Sequence, residues 1–134
     1  MATIRKELDL QRSAEEVWDA VRDFGAVHKR LGPGFLLDAH WDGDARVVTF
    51  FNSMVVREPL VTLDDESRRL VYSATGGMSR HYNAAMEVFP EGADRCRLVW
   101  TIDLLPNELA LTVDGMADKA CEAMKRTLEG RATD

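Results

Sequence analysis

Apolar residues along this chain follow two different periods. Between residues 35 and 105 they recur at every second position, in six runs: FLLDAHW, ARVVTFF, SMVVREPLVTL, RRLVYSATG, HYNAAMEVF and RCRLVWTIDLL. Such alternation sends side chains to the two faces of a pleated strand. Turn-forming residues separate the runs: DGD at 42–44, Asn52–Ser53, DDES at 64–67, Gly76–Gly77 and PEGAD at 90–94. Connections this short join consecutive strands in antiparallel fashion. Residues 2–10 add an earlier strand, with Ile4, Lys6, Leu8 and Leu10 on one face.

Elsewhere the period lengthens to that of a helix. Ser13 with Glu16 three residues on forms a capping box, and Val17, Trp18, Val21 and Phe24 follow at helical spacing. Gly25 and the GPG at 32–34 bracket a short helical turn carrying His28, Lys29 and Arg30. The last segment opens at Pro106–Asn107 and runs to Gly130. Its apolar residues (Leu109, Val113, Met116, Ala117, Ala120, Cys121, Met124 and Leu128) fall at three- and four-residue steps, predicting a long amphipathic helix. The plan is α+β: seven strands, one or two short helices after the first, and a long C-terminal helix. A curved antiparallel sheet wrapped around that helix covers both apolar surfaces.

One run breaks the pattern. In VVREPLVTLDD (residues 55–65), Glu58 shares a face with Val56 and Leu60, and Pro59 removes a backbone donor. The next run turns Leu70, Tyr72 and Ala74 inward if Arg69 and Ser73 face water. A carboxylate on an inner face needs partners or water, and a partly polar cavity supplies both. Burial there raises its pKa. The alternatives are a solvated Glu58, or one paired with Arg46 or Arg69. Pro59 predicts a bulge or a strand edge. Tyr82 falls on an inner face, and Trp100 shares one with Leu98 and Ile102; both residue types join an apolar ring to a polar tip. Met116, Ala120 and Met124 form a stripe of flexible or small side chains that suits either a plain core or an irregular cavity wall.

Composition narrows the function classes. The chain has 134 residues, 46% hydrophobic and 30% charged, with net charge −6. That is enough for one domain over residues 1–134 with a sizeable core. The negative balance argues against nucleic acid and anionic membranes as partners. The opening MATIRKELDL carries charges where a secretory leader needs an apolar run, and no apolar stretch is long enough to span a bilayer, so the expected location is cytoplasmic. Cys96 and Cys121 read as reduced, buried thiols. His28, His40 and His81 match no metal-ligand spacing, so neither a metal nor another cofactor is expected. No nucleophile triad or phosphate-binding glycine loop is present.

Four strings, AEEVWDAVRDF (14–24), REPLVTLDD (57–65), RLVYSATGG (69–77) and RLVWTIDLLP (97–106), occur in an order that resembles the START-like, Bet v 1-like (SRPBCC) superfamily, and within it the polyketide cyclase/dehydrase-like group. The resemblance implies a helix-grip fold, a seven-stranded sheet gripping the C-terminal helix with a ligand cavity between them. The strings also resemble the plant abscisic acid receptors. That likeness implies pocket positions at Glu58, Tyr72, Met116, Ala120 and Met124, and a pocket lysine near Lys29. The receptors' gate is not reproduced, since MSRHYN follows Gly76–Gly77. His28 and Lys29 lie near the expected pocket mouth, placed either to meet an anionic ligand group or simply on a solvated turn.

The leading expectation is binding or transport of a hydrophobic small molecule (polyketide, aromatic or lipid-like) with Glu58, Tyr72 and Tyr82 as directional contacts, by a monomer or homodimer. A second is a polyketide cyclase or dehydratase in which Glu58 and Tyr72 move protons. A third is a protein-interaction module, which requires an exposed apolar patch, with loops 32–35 and 76–80 the places to find one.

Overall fold

A computed structural model describes residues 1–130. Its strands are β1 (Ala2–Leu10), β2 (Leu36–Asp42), β3 (Ala45–Phe50), β4 (Val55–Asp64), β5 (Arg69–Ser73), β6 (His81–Pro90) and β7 (Cys96–Leu105). They form one seven-stranded antiparallel sheet in the order β1-β7-β6-β5-β4-β3-β2. Helix α1 (Ala14–Arg22), a 3-10 turn (Phe24–Ala26) and α2 (Val27–Arg30) lie between β1 and β2. The long helix α3 (Ala110–Gly130) closes the described chain. This is the antiparallel sheet and long C-terminal helix anticipated from periodicity and turn residues, in the helix-grip arrangement that the family resemblance implies.

Local chemistry explains where the elements start. The Ser13 side chain accepts a hydrogen bond from the Glu16 backbone N–H, capping α1. A cap of this kind contributes about 1 kcal/mol. Val17, Trp18, Val21 and Phe24 are all buried, as their spacing predicts. Gly25 lies under the Trp41 indole so closely that a Cβ there would meet Trp41 Nε1 at 2.4 Å. Only glycine lets β2 bring that ring over the turn.

Pro59 sits at a change of pairing, not at an edge. On its β3 side it pairs with Ala45. On its β5 side an Arg57–Thr75 bridge precedes it and Leu60–Tyr72 follows, with a register shift between Leu60 and Thr62. The missing N–H therefore falls beside an irregular stretch, where it costs least.

Helix α3 is fastened mainly at its C-terminal end. Arg12 donates to the Leu128 carbonyl oxygen (2.8 Å), Lys125 donates to that of Asp9 (2.8 Å), and the Gln11 N–H meets Glu129 (2.7 Å). Lys6, on the inward side of β1, holds Asp114 and Asp118 at 2.7 and 2.8 Å. Their hydrogen bonds raise its pKa to about 12. Ala117, Ala120, Cys121, Ala123, Met124 and Leu128 are buried, whereas Val113 and Met116 nearer the N-terminal end are only partly so. The helix thus seals the sheet at one end and leaves a gap at the other. No helix among the described residues is long and apolar enough to cross a membrane.

Candidate functional site

The gap opens into a cavity between the sheet and α3, within which the centre of a water molecule can range over about 120 Å³. One water needs roughly 10–15 Å³ by that measure, so the space suits a molecule many times larger. Its deep wall is built from β3, β4, β5 and β7 through Arg46, Val56, Glu58, Tyr72, Trp100 and Ile102. Its mouth lies between Phe35 on the loop before β2, residues 76–79, and Leu109, Val113 and Met116. Consecutive left-handed glycines, Gly76 (φ 87°) and Gly77 (φ 75°), fold the 76–79 loop back until Gly77 faces Val56.

Glu58 is buried and paired. It stands directly across from Arg46 in the β3–β4 register, and Arg46 Nε donates to its Oε1 at 2.7 Å. Arg46 Nη1 also donates to the Phe24 carbonyl oxygen at 3.1 Å. The guanidinium carbon lies 3.9 Å from the Phe24 ring centroid and 4.8 Å from that of Tyr72. A desolvated cation–π contact is worth about 2 kcal/mol. Two aromatic rings whose own centroids are 6.0 Å apart thus pack against adjacent sides of the Arg46 guanidinium. Burial raises the Glu58 pKa, and the Arg46 charge and hydrogen bond oppose that rise. The solvated alternative for Glu58 is therefore excluded, and of the two arginines considered Arg46 is the partner; Arg69 is exposed.

Two phenols and an indole complete the polar part of the wall. Burial pushes the Tyr72 hydroxyl well above its ordinary range, and the nearby Glu58 carboxylate adds to the effect. Tyr82 is raised in the same way, by burial first and then by Tyr72 and Glu58. Both are O–H donors at any physiological pH. Trp100 neighbours the Tyr72 hydroxyl. Its indole Nε1 is nevertheless buried without a hydrogen-bond partner of ordinary geometry.

The structure gathers Glu58, Tyr72, Tyr82, Trp100, Met116, Ala120 and Met124 around this one cavity. It does not bring His28 or Lys29 there. On the single turn of α2, Val27 and Leu31 face the cavity, and four-residue spacing turns the intervening positions away. Lys29 is exposed and His28 only partly buried. Sequence reasoning missed Arg46 as part of the wall, although its alternation with Val48 and Phe50 marks the inward face of β3. It also missed Val27, Phe35, Met54 and Met86, whose positions depend on how loops and neighbouring strands close. His40 and His81 are exposed, and no metal-binding cluster occurs among the described residues. Cys96 and Cys121 are buried free thiols, each pushed up to about 11 chiefly by burial.

Comparison with known proteins agrees with this geometry. The profile of a family described as "polyketide cyclase / dehydrase and lipid transport" matches residues 1–133. A search of the curated proteins found no match. Among solved structures, a protein from Thermobifida fusca superposes with TM-score 0.81 at 27% identity, over 98% of this chain and 93% of that one. The protein XoxI from Bacillus cereus gives 0.86 at 17% identity, covering 96% of each chain. A START superfamily protein from Mycobacterium smegmatis gives 0.74 at 18% identity, over 98% of this chain and 97% of that one. At these low identities the last two speak for the fold. With a profile match over nearly the whole chain and a cavity gripped between sheet and helix, the chain belongs to the polyketide cyclase/dehydrase and lipid-transport family.

Proposed function

We propose that this protein binds and carries a hydrophobic small molecule of the polyketide, aromatic or lipid-like kind inside the cavity. The observation that carries the reading is the cavity itself, apolar over most of its wall, with its polar groups concentrated at the buried end. Apolar area removed from water supplies the affinity, at about 25 cal/mol per Å², and a few fixed donors supply orientation. The test is titration with the neutral fluorophore N-phenyl-1-naphthylamine, followed by displacement with a panel of apolar ligands. Saturable 1:1 binding is expected, with a thermal stabilisation that grows with ligand concentration. A panel that neither enhances nor displaces the probe, and leaves the melting temperature unmoved, overturns the reading.

A second reading, cyclisation or dehydration of a polyketide-like substrate, draws on the raised pKa of Glu58 beside a protonated Tyr72. Such a pair can take a proton and give one within the same enclosure. Glu58→Gln distinguishes the two readings. Loss of turnover with ligand affinity kept within about threefold favours chemistry, while loss of affinity alone favours carriage.

A further inference from the structure

The polar groups at the buried end of the cavity are not equally satisfied. The neutral donors engage one another, since the Trp100 indole N–H and the Tyr82 hydroxyl both lie against the Tyr72 oxygen. Arg46 differs. It is the only cation among the residues that line the cavity, and it is 5% exposed. A guanidinium presents five N–H donors in a rigid fork. Here Nε donates to Glu58 Oε1 at 2.7 Å and Nη1 to the Phe24 carbonyl oxygen at 3.1 Å. Nη2 has no hydrogen-bond partner among the described residues, and it stays open where the Trp100 nitrogen is closed off. The Phe24 and Tyr72 rings, with centroids 3.9 and 4.8 Å from the guanidinium carbon, help hold the fork in place. One charged, immobilised donor is thus left over at the cavity wall.

From this we infer that Arg46 selects the ligand: the bound molecule carries an acceptor oxygen at its buried end, from a carbonyl or a carboxylate, that takes a hydrogen bond from Nη2. The inference deepens the proposed function and rests on it. Solvent entering the cavity satisfies this nitrogen. A ligand that displaces solvent with a hydrocarbon edge leaves a charged N–H bare, which costs more than baring a neutral one. An oxygen at the same place restores the bond, and a charge-assisted bond is the stronger kind. Because Glu58, the Phe24 carbonyl oxygen and two rings already fix the guanidinium, binding requires little further ordering of that side chain. Arg46 therefore has two roles: it makes a buried Glu58 tolerable, and the donor left over from that role reads the ligand.

Three naphthalenes of similar size serve as probes: 2-acetylnaphthalene, 2-naphthoate and 2-isopropylnaphthalene. At least one of the two oxygen-bearing probes is expected to bind about tenfold tighter than the hydrocarbon, the worth of a hydrogen bond to a charged donor. The tighter of the two names the source of the oxygen, the ketone for a carbonyl and the naphthoate for a carboxylate. Arg46→Met combined with Glu58→Leu removes the donor without stranding a buried charge. That double variant should lose the preference for oxygen and keep its affinity for the hydrocarbon. In the unmodified protein the infrared C=O stretch of isotope-labelled 2-acetylnaphthalene should fall below its value in hexane, a readout that stands even if the double variant does not fold. Oxygen-bearing probes that bind no tighter than the hydrocarbon, or a stretch that stays at the hexane value, overturn the inference and leave the cavity reading standing. A preference that survives undiminished in the folded double variant does the same. Failure of all three probes to bind overturns both the inference and the function beneath it.

Discussion

Glu58 shows how one residue's environment is made. Its carboxylate is affordable inside the protein because Arg46 lies directly opposite on the adjoining strand and because Phe24 and Tyr72 both pack against that guanidinium. Replacing one partner strands the other as a buried charge. Glu58→Leu or Arg46→Met alone is expected to cost about 3–5 kcal/mol of unfolding free energy, and the double variant to recover to within about 1 kcal/mol of the parent. Urea denaturation of all four proteins measures the coupling, and strictly additive losses would show that the pair does not act as a unit. This pairing was half legible. Inward alternation at Glu58 could be read from VVREPLV, and Arg46 could be named as a neighbour. Choosing Arg46 over Arg69 needed the β3–β4 register.

Between elements, the polar ties lie at the ends of helices and the turns of hairpins. Asp65, in the turn between β4 and β5, accepts from Arg22 Nε at 2.7 Å and Trp18 Nε1 at 2.8 Å, fastening α1 to that hairpin. The Arg22 hydrogen bond, followed by that of Trp18, lowers the Asp65 pKa below its ordinary 3.8. A carboxyl with a depressed folded-state pKa adds stability that is fully present above the unfolded value and is lost as pH falls through the folded one. Asp65→Asn should therefore be less stable than the parent at pH 6, and the gap between their urea midpoints should close on acidification below about 3.8. A gap that persists unchanged at pH 2.5 would assign the effect to packing. The helix starts, the turns and the runs of alternation that define these elements were all visible in the chain, because caps, glycines and periodicity act locally. Asp65 as a tie to α1 was not, since its partners lie more than forty positions earlier.

At the scale of the whole molecule, the cavity exists because α3 is anchored toward one end and its cavity-facing side carries small residues, Ala117 and Ala120, where a solid core would need larger ones. Filling that space exchanges binding for stability. Ala120→Leu is expected to raise unfolding stability by about 1 kcal/mol and to weaken N-phenyl-1-naphthylamine by at least about tenfold. Stability measured by denaturation and affinity by fluorescence should move in opposite directions. If both fall together, Ala120 faces a packed core and the hollow is not the binding site.

What the chain determined alone is what short-range physics controls. Alternation laid down the strands, three- and four-residue spacing the helices, and glycine, proline and capping residues their ends, so the α+β plan and the inward sides of β4, β5, β7 and α3 followed from sequence. The tertiary structure decided everything that depends on distance between remote segments. It joined Arg46 to Glu58, turned His28 and Lys29 away from the cavity, seated Trp100 beside the Tyr72 hydroxyl, and set the space beneath α3. Those outcomes follow from how a twisted sheet closes on a helix pinned toward one end, and no local pattern encodes how far such a closure stops short.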